Sequence, residues 1–176
     1  MIETERLILR PYAEADRAPF AEINGHADVG AWLGGVMDRE ASDALMTRIN
    51  VHVEEHGFGF WAAERRSDGR LVGAIGLQVV KEGALPFGPA VEMGWRLHPE
   101  VQGQGLATEG AAAALAWGFA NLPVDEIVAF TAEANVASQA VMRRVGMAPD
   151  PARDFDHPRL AEDHPLRREQ HVAAKR

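Results

Sequence analysis

Val101-Gln-Gly-Gln-Gly-Leu-Ala-Thr-Glu-Gly110 is the stretch whose reading decides the fold. It follows a strand-like run, Val91 to Leu97, and opens an alanine-rich helix at Leu106. Strand, glycine loop and helix start is the order that a phosphate-binding turn needs. Small residues let the backbone approach an anion. The first N–H groups of a helix lack intrahelical acceptors and carry the positive end of the helix dipole. A tight turn that needs Gly103 and Gly105 only for positive φ, and binds nothing, would have the same local sequence. The flanking chain has to decide between the two.

The totals set the frame. A chain of 176 residues with 47% hydrophobic and 25% charged residues suits one globular domain, residues 1–176, with a sizeable core. No apolar run reaches the roughly 18–20 residues of a membrane span. The start, Met-Ile-Glu-Thr-Glu-Arg, lacks the basic and apolar segments of a secretory signal, so a cytoplasmic protein is expected. With no cysteine there is no disulfide, thiolate zinc site or cysteine nucleophile. The formal net charge of -8 argues against nucleic acid as a partner and mildly favours a cationic or amine-bearing one. For charge alone, plain solubility is the preferred explanation.

On the N-terminal side of the stretch, Glu5 to Tyr12 reads as a strand stopped by Pro11, and Glu14 to Gly25 as a short amphipathic helix. His26 to Val36 is glycine-rich and reads as a loop carrying Trp32. Asp38 to His56 is the clearest amphipathic helix, with Ala41, Leu45, Ile49 and Val53 on one face and Gly57 after its end. His52 and His56 have a zinc-compatible spacing but no accompanying glutamate motif, so they read as surface histidines and no metal is expected. Phe58 to Arg65 and Arg70 to Val80 form a hairpin turned at Ser67-Asp68-Gly69. Gly73 and Gly76 inside its second strand mark a bulge or a close approach. Lys81 to Pro89 is a loop.

In Val91 to Leu97 the strand period puts Val91, Met93, Trp95 and Leu97 on one face and Glu92, Gly94 and Arg96 on the other. Two charges on one face of a central strand need pairing or water. A Glu92–Arg96 pair meets that need, and so does a wet groove. Beyond the stretch, a helix to Ala120, a buried strand from Glu126 to Thr131 and a helix from Asn135 to Val145 follow. Leu166 to Val172 is at most a last strand, because Glu169 to Arg176 lacks an apolar alternation. This order is α+β rather than a repeating βα alternation. It argues against a doubly wound dinucleotide fold. No Gly-Lys-Ser/Thr follows the glycines, which excludes a Walker loop.

Gln102-Gly-Gln-Gly105-Leu-Ala107, Gly94-Trp-Arg-Leu-His-Pro99, Gly105 to Glu109, and Thr131 with Asn135-Val-Ala-Ser138 and Gly146-Met147 together resemble the GNAT family of N-acetyltransferases. Glu5-Arg-Leu-Ile-Leu-Arg10 adds a likeness to its RimJ/RimL-type branch, and the resemblance spans Thr4 to Met147. It implies a GNAT-type acyl-CoA N-acyltransferase fold, a mixed central sheet splayed at the cofactor cleft with helices on both faces. It implies acetyl-CoA as co-substrate and a primary amine as acceptor, either a protein N-terminus or a small amine. A homodimer is compatible with it, the contact running through the last strand. The resemblance implies that backbone groups of Gln102, Gly103, Gln104, Gly105, Leu106 and Ala107, with Thr108 nearby, hold the pyrophosphate. Leu97 and His98 border the pantetheine arm, and Asn135 meets it from a helix start, where an N-cap role is also open.

Acetyl transfer to an amine needs a base for the amine, a stabilised thioester oxygen and a donor to the leaving thiolate. The tyrosine that many relatives use as that donor is replaced here by Met142, and the resemblance points to Ser138 instead. Glu92 is the first candidate for general base. Glu133 and His98 follow, and a backbone carbonyl with water is a further option. The acceptor groove is expected between residues 28–38, the helix up to His56 and the Lys81–Pro89 loop, with Trp32, Phe60 and Trp61 near it. The alternative from another class is a noncatalytic acyl-CoA-binding regulatory module.

Overall fold

In the computed structural model, which describes residues 1–158 and 160–175, the chain is built on one mixed sheet. Its strands are β1 (Ile2–Glu3), β2 (Leu7–Arg10), β3 (Phe60–Arg65), β4 (Leu71–Val80), β5 (Ala90–Leu97), β6 (Glu126–Ala132), β7 (Ala148–Pro149), β8 (Phe155–Asp156) and β9 (Arg168–Lys175). The spatial order is β1-β2-β3-β4-β5-β6-β9-β7, with β8 also paired to β9. Every neighbouring pair is antiparallel except β5 and β6.

The helices are α1 (Arg17–Gly25), α2 (Ala27–Gly30), α3 (Arg39–His56), α4 (Leu106–Asn121) and α5 (Val136–Arg144). On one face of the sheet, Phe20 and Ile23 of α1 and Met46 and Ile49 of α3 pack on Ala62 and Ala74. On the other, Ala111, Ala114 and Leu115 of α4 cover Ile75, Leu77 and Met93, and Val141 and Met142 of α5 join them. Fully burying one such large side chain is worth about 1.5–3 kcal/mol. The two helical layers follow from the alternation of inward-facing residues along the strands. This is the α+β fold with helices on both faces that the sequence predicts.

Close approach explains Gly76 of β4. A Cβ there would sit 2.1 Å from the Gly59 carbonyl oxygen of the adjoining chain. The strand register slips between Ala63 and Glu64 opposite this strand, so the bulge expectation for the glycine-containing strand also holds.

The parallel step matters most for function. β5 and β6 share a single register pair, Glu92 with Val128. Beyond it, toward Leu97 and Ala132, the two strands diverge and leave a wedge in the sheet. The connection between them carries the glycine loop and α4, so the start of α4 stands at the wedge.

Four sequence expectations are corrected. Residues 26–36 are not all loop, because His26 Nδ1 accepts from Asp28 N and starts α2. The buried stripe of α3 is Ser42, Met46 and Ile49, while Ala41 is exposed. A polar residue can lie in that stripe because Asn24 Nδ2 donates to Ser42 Oγ at 2.8 Å. His52 is half-buried, with its ring 4.4 Å from His56 and its Nε2 accepting from Val79 N. The last strand does form. β9 pairs with β6 on one side and with β7 and β8 on the other, so hydrogen bonding on both edges stands in for an apolar alternation. No helix among the described residues is long and apolar enough to cross a membrane.

Candidate active site

The wedge opens into a cleft of about 1280 Å³ that runs from the start of α4 to the C-terminal part of α3. Such a volume exceeds the roughly 300–1,000 Å³ of ordinary small-molecule sites and leaves room for a large ligand. One end is formed by the glycine loop. Gly103 (φ 74°) and Gly105 (φ 81°) both adopt the left-handed conformation, which L side chains rarely enter. Gly105 is the N-cap of α4 and supplies no side-chain hydrogen bond. α2, α3 and α5 are each capped by a side chain, from His26, Asp38 and Asn135. The first turn of α4 has no side-chain cap, and its residues Leu106, Ala107 and Thr108 line the cleft, a setting that favours an anion.

A buckle holds this loop to the first strands. Arg6 Nη1 donates to the Gln104 carbonyl at 2.9 Å, and Arg6 Nε donates to Glu109 Oε2 at 2.6 Å. Thr4 Oγ1 and Arg6 N donate to the other Glu109 oxygen. Burial pushes the Glu109 carboxyl up, but these hydrogen bonds outweigh it and hold the group below its usual range. The sequence reading used Arg6 and Glu109 only as marks of resemblance. Their contact across 103 residues leaves no local signal.

Gln102, Gly103, Gly105, Leu106, Ala107 and Thr108 all line the cleft. So do Leu97, Asn135 and Ser138. The side chains of two residues expected to border the cofactor point elsewhere. The Gln104 side chain turns away to donate to the Glu100 carbonyl at 2.8 Å. His98 lines a different, smaller pocket, because its Nδ1 accepts from Glu100 N and its Nε2 faces Glu22 at 3.8 Å. Gln102 Nε2 donates to the Leu97 carbonyl at 3.0 Å and so ties the loop to the end of β5. Asn135 is 7% exposed, and its Oδ1 accepts from Ser138 N at 3.1 Å. The N-cap reading of Asn135 thus holds, and it fixes Ser138 in the first turn of α5. Met142, at the position of the family tyrosine, is buried in the core.

The carboxylates lie deeper in the wedge. Glu92 does not pair with Arg96. Its Oε2 accepts from Gln78 Nε2 at 2.8 Å, across the β4–β5 pair. Facing the same space is Glu169 of β9, opposite Ala132 of β6. It is 7% exposed, and its Oε2 finds no hydrogen-bond partner among the described residues. Burial, with the charge of Glu92 added, pushes its pKa up to about 7. A carboxylate with that value in a cleft can accept a proton near neutrality. Sequence reasoning missed it, because no signal marked Glu169 once its strand had been discounted. Glu133 is exposed and outside the cleft lining.

The opposite end of the cleft is lined by Asp28 and Trp32, by Arg48 and His52 of α3, and by Phe60. Trp32 and Leu33 are 43% and 41% exposed and form an apolar lip. Trp61 is core, edge-on to Trp117 at 5.2 Å. The Lys81–Pro89 loop does not reach the cleft. Leu85 and Phe87 fold instead onto Phe130 and Phe155. Burial lowers the pKa of His52, with the His56 charge adding to the effect, so it is a neutral acceptor at pH 7. Among the described residues, no cluster of side chains suits a metal ion.

Residues 6–148 match the family model described as acetyltransferase (GNAT) domain. The uncharacterized N-acetyltransferase YnaD of Bacillus subtilis (strain 168) is 28% identical over 148 residues, 83% of this chain and 81% of that protein. An acetyltransferase (GNAT family) from Bacillus anthracis has a similar structure, with a TM-score of 0.81 at 22% identity, covering 99% of this chain and 97% of that one. Mycobacterium smegmatis RimJ in complex with CoA-disulfide is also similar, with a TM-score of 0.77 at 21% identity over 96% of this chain and 81% of that one.

Proposed function

Since the chain belongs to the GNAT acetyltransferase family and is an acetyl-CoA-dependent acyltransferase, we propose that it moves the acetyl group directly to a primary amine, with Glu169 as general base. The observation that carries this reading is the near-neutral Glu169 carboxyl inside the cleft, whose Oε2 has no hydrogen-bond partner among the described residues. We further assign the chain to the RimJ/RimL-type branch, acting as one domain over residues 1–176. The Asn135–Ser138 turn and the absence of a tyrosine at Met142 support that assignment.

Acetyl-CoA supplies an activated acetyl group and a thiolate leaving group. The uncapped first turn of α4, with Gly103 and Gly105, suits its pyrophosphate, and the splayed β5 edge near Leu97 suits its amide-bearing arm. The protein's part is then proton handling. A protonated amine entering the wedge meets Glu92 and Glu169. Glu169, directly or through one water, takes one proton from the ammonium; the freed lone pair forms the N–C bond, and as the C–S bond breaks the second nitrogen proton passes to the departing thiolate. Glu92 raises the basicity of Glu169 by like-charge repulsion and is itself anchored by Gln78. Ser138 donates a hydrogen bond to the departing sulfur. No covalent enzyme intermediate is needed, in keeping with a chain that has no cysteine.

Thiol release from acetyl-CoA, measured over a panel of small amines and N-terminal peptides, tests the reading. Turnover of at least one amine, lost in Glu169→Gln, is expected. CoA binding without turnover of any acceptor would overturn it in favour of a binding module.

A further inference from the structure

One charged side chain in the cleft has no part in this chemistry. Arg96 stands on β5, on the same strand face as Glu92, with Gly94 midway between them. Each step of two residues spans about 7 Å along a strand, so the two opposite charges flank Gly94 at similar distances. Phe60 packs over that glycine, and a Cβ there would lie 3.0 Å from its ring. The floor at Gly94 is therefore flat, apolar and bounded by an acid on one side and a guanidinium on the other.

Arg96 is held by neutral groups. Its Nη1 donates to Asn24 Oδ1 at 2.7 Å, and Asn24 in turn donates to Ser42 Oγ. Asn24 and Ser42 are 2% and 0% exposed, so this chain is a fixed anchor between α1 and α3. Among the described residues Arg96 engages one of five guanidinium N–H donors. Among the described residues no carboxylate lies at ion-pair distance from Arg96, whereas Arg6, Arg10, Arg17, Arg39, Arg65 and Arg153 each have one. Burial lowers its pKa, as expected for a cation without a counter-ion. Nearby, the Tyr12 hydroxyl is buried without a hydrogen-bond partner among the described residues and senses the Arg96 charge. A half-buried guanidinium oriented by neutral partners, with donors to spare, suits a planar anion.

We infer that Arg96 holds a carboxylate of the acceptor, so that the acceptor is an amino acid or a similar small amine that also carries a carboxylate. This rests on the transferase reading above. It divides the cleft floor by charge. The ammonium end lies toward Glu92 and Glu169, the carboxylate end toward Arg96, and the side chain toward Phe60 and the Trp32 lip. A polyamine would bring further positive charge against Arg96. A peptide N-terminus would offer it only a neutral amide.

The test compares free amino acids with their carboxamides, with spermidine and with N-terminal peptides, using the full chain and acetyl-CoA. Losing a charge-assisted hydrogen bond to the ligand corresponds to roughly 10- to 100-fold. The acids should exceed their amides in kcat/KM by at least that factor. Arg96→Gln should collapse the acid-to-amide ratio toward one, through KM rather than kcat, and Arg96→Lys should restore part of it. Wild-type CoA affinity in these variants reports an intact fold. If Arg96→Gln does not fold, the acid-to-amide ratio of the native protein still decides. Equal turnover of acid and amide overturns the inference, as does turnover confined to polyamines or peptides, and both leave the transferase reading standing. CoA binding with no acceptor turned over refutes that reading and this inference together.

Discussion

Replacing Glu169 by glutamine should slow the enzyme and stabilise the protein at the same time. The side chain keeps its shape but loses its proton-accepting form. The ordinary glutamate value of 4.5 and the value of about 7 reached in the cleft, at roughly 1.36 kcal/mol for each factor of ten, put the cost of ionising Glu169 in the folded protein at about 3 kcal/mol. The native state therefore holds a proton between pH 4.5 and about 7 that the unfolded chain releases. Stability falls as pH rises through that window and is level above it. Activity runs the other way, because only the ionised form accepts the amine proton. In the wild type, log kcat/KM should rise with unit slope up to pH about 7 and then flatten. Glu169→Gln should lose that limb and fall by roughly 10²–10⁴ at pH 8, the usual contribution of a positioned base. In urea denaturation it should be more stable than wild type at pH 8, by up to about 3 kcal/mol, with the advantage vanishing near pH 4. Thiol-release kinetics and denaturation over one pH series measure both. A variant that keeps the acid limb, or is less stable than wild type at pH 8, refutes the assignment of Glu169 as a buried base.

Glu92→Gln removes the negative neighbour of Glu169, so the acid limb should move to lower pH, as read from the same profile. An unmoved limb would show that the two carboxylates are not coupled. Ser138→Ala should lower kcat by about 10- to 100-fold, the effect of losing one hydrogen bond to a developing charge, with little change in CoA affinity by calorimetry. Gly105→Glu forces a side chain into a left-handed backbone site (φ 81°) and places a carboxylate at the anion-binding turn, so CoA binding should be lost while the thermal transition remains cooperative. Arg6→Ala frees the Gln104 carbonyl and removes the side-chain hydrogen bond to Glu109, and should weaken CoA roughly tenfold without altering the acceptor preference.

The cofactor half of the site was legible because its signals are local. Gly103, Gly105 and the Leu106 helix start lie together in sequence, and each is a backbone requirement that few residues satisfy. The two faces of β5 were legible for the same reason, since alternation places Glu92 and Arg96 without reference to the rest of the chain. The polar partners were not. Glu92 pairs with Gln78 and Arg96 with Asn24, and both choices depend on which strand and helix lie alongside. Glu169 was least legible. β9 is an inner strand whose hydrogen bonds are met on both edges, so its polar residues violate the pattern by which a strand is recognised. The side chains of His98 and Gln104 were not legible either, because both are set by hydrogen bonds to the Glu100 backbone.

The single register pair between β5 and β6 leaves the sheet with an edge in its interior. β5 is bonded to β4 along its other edge, so on this side its backbone groups past Glu92 lack a paired strand. A ligand arm carrying amides, laid along that edge, would complete the ladder from within. Those amides of residues 93–97 that point away from β4 should then become slow to exchange when CoA binds, while those of β4, already bonded on both sides, should change little. The unliganded protein is in that sense a sheet with one rung missing. Its weakest seam is the place where its substrate enters.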